Sequence, residues 1–184
     1  ILVSVLDHAG SVLDQSKYRL VGTGAAILQG VRLPTGDVDL LVKERETVDA
    51  LASAFSSFEC LTPPGYLLEA KQYYASYKAN GVEVETSTVE WETDSDSIEC
   101  FGHGPWEHYV LIPCGPYTVP TVALELRLVS ELLRDRPDRY TPIIEHMRAY
   151  GCDIELVHRG IEARELPQAL REQVLGQLKR TPVG

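Results

Sequence analysis

Two turns separated by one short helix constrain this chain more than any other feature. Tyr18-Arg19-Leu20-Val21 reads as a short strand, and Gly22-Thr23-Gly24 ends it. Ala25 to Val31 is helical in character, Leu33-Pro34-Thr35-Gly36 breaks that helix, and Asp37 to Lys43 reads as a second strand. Strand, turn, helix, turn and strand therefore follow one another within residues 18–43, which excludes an all-helical or all-β domain.

The second strand carries two acids. Side chains on a strand alternate between faces, so Asp37 and Asp39 point one way while Val38 and Leu40 point into the core. Two carboxylates on one face repel unless water or a cation intervenes. They make a good mount for Mg²⁺, a hard ion that takes one or two carboxylates together with phosphate oxygens and water. Upstream, Gly22, Thr23 and Gly24 leave room for close backbone approach, and free amides there can hold phosphate oxygens. Glu83 and Glu85 share a face of a later predicted strand, with Val82 and Val84 toward the core.

Elsewhere, Leu2, Val5, Leu6, Ala9, Val12 and Leu13 recur at helical spacing, and Glu46 to Phe55 predicts another helix. Thr62-Pro63-Pro64-Gly65 reads as a loop. Tyr73 to Lys78 and Val82 to Val89 form a predicted hairpin about Asn80-Gly81. Glu90 to Gly104 is polar and acidic and reads as loop, and Tyr109 to Ile112 and Tyr117 to Val119 as short strands. From Leu124 onward the pattern is helical, with four predicted helices. This gives an α/β core over residues 1–120 and a helical C-terminal part over 121–184, packed on that core.

Seventeen basic and 27 acidic side chains give a net charge of −10. Residues 121–184 hold ten of each sign, so the deficit lies wholly in residues 1–120. Such a surface disfavours duplex nucleic acid, whose binding relies on many Lys and Arg contacts to phosphate. No apolar run approaches the roughly 20 residues of a membrane span, and Ile1 to Asp7 lacks the basic start of a secretory signal, so a cytoplasmic protein with reduced thiols is expected. Cys100, His103, His108 and Cys114 offer zinc-type donors, but their spacing fits no common structural zinc pattern.

Taken together, Gly22-Thr23, the Gly36-Asp37-Val38-Asp39-Leu40 strand start and Gly81-Val82-Glu83-Val84-Glu85 resemble the polymerase-β-type nucleotidyltransferase superfamily, in particular its minimal, uncharacterised bacterial members. Leu124-Glu125, Arg136-Pro137-Asp138-Arg139 and Gly151-Cys152-Asp153 are similar to that family's helical C-terminal part. The resemblance implies a short, mixed, twisted sheet with helices mainly on one face, followed by the helical part. It further implies Mg²⁺-dependent transfer of a nucleoside monophosphate, such as AMP from ATP, from an NTP to an acceptor hydroxyl on a small molecule or protein. Asp37, Asp39 and Glu85 are the implied catalytic and metal-binding residues, with Glu83 as runner-up for the third acid. Gly22 and Thr23 are the implied ligands of the β- and γ-phosphates. The Glu85 carboxylate is expected close enough to Asp37 and Asp39 to share one ion.

Two features depart from the family pattern: Thr23 stands where Ser or Gly is usual, and the third acid is Glu instead of Asp. They keep open a catalytically inactive nucleotide- or metal-binding member and a partner-binding, antitoxin-like one. A dinucleotide fingerprint lacks its third glycine, since Ile27 occupies that position. Arg127, Arg134, Arg136 and Arg139 read as helix-surface charges, or as partners of Glu125, Glu131, Asp135 and Asp138. Leu166 to Leu170, Leu175 and Leu178 predict a last helix that covers the domain or docks a partner.

Overall fold

The computed structural model describes residues 1–34 and 36–179; Thr35 of the predicted second turn lies outside them. Helix α1 (Leu2–Ala9) runs into a single 3-10 turn at Gly10–Val12, where apolar spacing alone predicted more α-helix. Gly10 is a weak helix former at that boundary. Strand β1 (Tyr18–Val21) passes directly into α2 (Gly22–Leu28), and β2 (Val38–Val42) and α3 (Arg45–Ala54) follow. Next come β3 (Glu59–Leu67), β4 (Gln72–Ala79), β5 (Val82–Ser87) and a four-residue helix α4 (Gly104–Glu107). Strands β6 (Tyr109–Cys114) and β7 (Tyr117–Val122) complete the sheet. Four helices end the chain: α5 (Leu124–Leu133), α6 (Pro137–Tyr150), α7 (Ile154–Ala163) and α8 (Gln168–Leu178).

The sheet is mixed and open, with strand order β3-β4-β5-β2-β1-β7-β6. β2 pairs parallel with β5 and β1 parallel with β7, while the other neighbours are antiparallel. The predicted loop at Thr62–Gly65 lies inside edge strand β3, whose register shifts between Cys60 and Thr62 and again between Thr62 and Gly65. An edge tolerates Pro63 and Pro64 because their missing N–H groups forfeit no inner ladder bond.

One sheet face carries Tyr18, Leu20, Leu40, Ala75, Tyr77 and Val84, all buried against Val5, Leu6 and Ala9 of α1 and Val48, Leu51 and Phe55 around α3. Burying a side chain such as Phe55, which is fully covered, contributes about 1.5–3 kcal/mol. The alternate residues Val21, Asp39 and Glu85 share the opposite face in register. A second apolar cluster joins α5 to α8 through Leu128, Leu132, Ile143, Met147, Val157 and Val174, and takes in Ala26 of α2. The turn that starts α2 is thereby held between sheet and helical part. Leu170, Leu175 and Leu178 of α8 pack on this cluster, so this last helix covers the domain. No helix among the described residues is long and apolar enough to cross a membrane.

Candidate functional site

Gly22 begins α2 at φ 67, in the left-handed region that side chains rarely adopt. A Cβ there would collide with Asp39 Oδ2, so the turn and the carboxylate share a space that only glycine leaves. Asp39 stands opposite Val21 on β1 and beside Glu85 on the parallel strand β5. Burial, then the charge of Glu85, pushes the Asp39 carboxyl up to about 7; Arg127 opposes this, and Asp37 and Glu99 add to it. Asp37 is exposed, one residue before β2.

The half-buried Glu85 accepts a hydrogen bond from Tyr74 Oη at 2.9 Å. Burial leads the causes that push the Tyr74 hydroxyl up to about 12. Glu83 lies two residues along β5, opposite Lys78 of β4, with its register partner a cation instead of an acid. Asp37, Asp39 and Glu85 thus face one region, although their oxygens do not all lie within 4.8 Å of one another. Among the described residues the only group of three donors within 4.8 Å is Asp96, Glu107 and His108. The physical reason is local: the Asp39 carboxylate turns onto Gly22, Tyr74 holds that of Glu85, and like charges spread.

Three further groups complete the region. Glu99, 2% exposed, accepts from the Gly22 N–H at 3.3 Å and from Arg127 Nη1 at 2.9 Å. Arg127 also pairs with Glu131, one of the partners expected for these arginines, but both are buried instead of lying on the helix surface. A buried Arg is stable only with such partners. Arg139 of α6 donates from Nη1 to Thr23 Oγ1 at 3.2 Å, and Gly36 packs against the Thr23 side chain. Arg139 also reaches Asp138 at 3.4 Å, the pairing expected of it. Sequence reasoning missed Glu99, Tyr74 and the inward roles of Arg127 and Arg139. Only Arg127 and Glu131 left a trace, as an i,i+4 pair among Leu124, Leu128 and Leu132.

The zinc-type donors do not converge. His108 faces Asp96 at 3.4 Å, and Asp96 is also engaged by Ser97 and by Arg159 at 3.4 Å. All four cysteines are free thiols, and Cys114 ends the β6 strand that His108 precedes.

No protein-family model matches the chain, and no curated protein resembles it in sequence. Solved structures do resemble it. An inferred nucleotidyltransferase from Thermotoga maritima superposes with a TM-score of 0.56 at 16% identity, covering 80% of this chain and 91% of that one. A Helicobacter pylori protein gives 0.50 at 10% identity, covering 96% and 86%. At these identities the likeness is one of fold: the chain adopts a nucleotidyltransferase-like fold.

Proposed function

We propose that this chain transfers a nucleoside monophosphate from an NTP to an acceptor hydroxyl and releases pyrophosphate. The observation that carries the reading is the opposition of Asp39 and Glu85, in register on adjacent strands, to a glycine turn shaped around the Asp39 carboxylate. Several acids with one inward-facing Arg among them form a hard-oxygen donor set that fits a divalent cation. Asp37, Asp39 and Glu85 would hold Mg²⁺, which when bound neutralises charge on the triphosphate. The Gly22-Thr23 turn would seat the β- and γ-phosphates. An acceptor oxygen bonds to the α-phosphorus as the α–β bridging P–O bond breaks. The acceptor's proton passes to Glu85, and pyrophosphate leaves.

Thermal shift with a nucleotide panel, with and without Mg²⁺, tests the binding half. Ligand at a hundredfold excess over Kd stabilises by about 2.7 kcal/mol. Stabilisation by NTP only with Mg²⁺, lost in Asp39→Asn and Glu85→Gln and kept in Glu83→Gln, is expected. Pyrophosphate release with a panel of hydroxyl acceptors tests transfer, and NTP binding without release from any acceptor removes it.

One observation favours a second reading, a metal-binding module without turnover: the Gly22 amide is already engaged by Glu99 and so is withheld from phosphate. Mg²⁺ binding by wild type with no binding of any NTP supports it.

A further inference from the structure

We infer that Arg139, reaching from the helical part of the chain, is a ligand of the terminal phosphates of a polyphosphate chain bound at the Gly22-Thr23 turn. The inference rests on the nucleotidyl-transfer reading for the identity of its ligand and adds a residue and an orientation to it.

The guanidinium lies against the turn. Arg139 Nη1 donates to Thr23 Oγ1 at 3.2 Å, and four-fifths of the Arg139 side chain is shielded, its relative exposure being 20%. Its one acidic neighbour among the described residues is otherwise committed: Asp138 is 58% exposed and takes two bonds from Arg136, at 3.1 and 3.0 Å, against a 3.4 Å approach by Arg139. The charge of Arg139 is therefore only weakly compensated by the protein. The contrast with Arg127 is instructive, since Arg127 is buried between Glu99 and Glu131.

The chemistry of the contact selects the ligand. A guanidinium has five N–H donors and no acceptor, and here one is used on Thr23. A hydroxyl that accepts from a guanidinium turns its own hydrogen toward another acceptor. Thr23 and Arg139 together therefore present only donors, with a positive charge behind them, to whatever enters beside the turn. A ligand end that is acceptor-only, anionic and rich in oxygens matches this, and a planar fork holds phosphate oxygens well. The carboxylates lie on the sheet side of the same turn, so the two ends of the site have opposite polarity. The polyphosphate tail points to α6, and the reacting phosphate lies toward Asp39 and Glu85.

Titration calorimetry with three probes in Mg²⁺ tests this: ATP, inorganic tripolyphosphate and AMP. Loss of a charge-assisted pair predicts about ten- to a hundredfold weaker ATP and tripolyphosphate binding in Arg139→Ala, with AMP within about twofold of wild type. Arg139→Lys restores part of the loss, and Arg139→Gln reproduces it should the alanine variant unfold. ATP binding that is the same in wild type and both neutral variants overturns the inference while leaving the nucleotidyl-transfer reading intact. Arg139-dependent capture of tripolyphosphate without ATP binding supports the inference and removes the nucleotide. A wild type that binds neither overturns both.

Discussion

Gly22 shows how one residue joins backbone to chemistry. Its φ of 67 strains any side chain, and its missing Cβ is the space that Asp39 Oδ2 fills. Gly22→Ala is expected to cost more than the roughly 1 kcal/mol of an ordinary positive-φ substitution, because the carboxylate must also move. Gly81→Ala is the control: φ is 83 there, with open space around it. Urea unfolding of both variants measures the difference, and equal losses would separate Asp39 from the turn. Tyr74→Phe removes only the hydroxyl, which holds Glu85 and also meets the Ser76 side chain. Several-fold weaker Mg²⁺-dependent nucleotide binding with little change in unfolding midpoint is expected, with calorimetry as the readout. At this scale the turn at Gly22 and the strand face that Asp39 shares with Glu85 were legible because turn chemistry and strand alternation are local, while the choice of Glu85 over Glu83 came from the family resemblance. Glu99 and Arg139 were not, because they meet the turn from 77 and 116 residues away.

Elements repeat the pattern. The β2 strand and the hairpin of β4 and β5 follow from alternation and from Asn80-Gly81, whereas β3 was hidden by Pro63 and Pro64, which read as turn residues without knowledge of the sheet edge. In α5 the heptad-like leucines and an Arg127–Glu131 pairing were legible, yet the burial of that pair was not, because its partner Glu99 lies in a polar stretch with no periodicity. This network sets a prediction for the element. Arg127→Met leaves Glu99 and Glu131 buried without their cation, with an expected loss of about 3–5 kcal/mol in chemical denaturation. Combining it with Glu99→Gln and Glu131→Gln should recover much of that loss, since apolar and neutral replacements remove the uncompensated charge. A triple variant no more stable than Arg127→Met alone would mean that Arg127 acts through packing.

At the scale of the molecule, an excess of acid concentrated in residues 1–120 meets a fold that draws Asp39, Glu85, Glu99 and Asp37 toward one turn. The cost appears in Asp39, whose carboxyl is raised from 3.8 to about 7 by burial first and Glu85 second. A raised acid favours the folded state when protonated. Its contribution is full below about pH 4 and is lost as pH rises through about 7. The lowered carboxyls of Asp14, Glu90, Asp96 and Asp138 act in the other window: their stabilisation is present above about pH 4 and fails only in stronger acid. Between pH 5 and 8 the Asp39 contribution therefore stands apart from theirs. In chelator the melting temperature of wild type should fall across this range, and Asp39→Asn should flatten the fall by removing the group that titrates. Divalent cation binds the ionised form, so saturating Mg²⁺ should also flatten the wild-type curve and raise it most near pH 8. Because Asp39→Asn lacks that ionisation, Mg²⁺ should leave its curve where the chelator puts it. A wild-type melting temperature that falls equally with Mg²⁺ and with chelator would detach the cation from Asp39, and with it the reading of this acidic face as a metal-binding one.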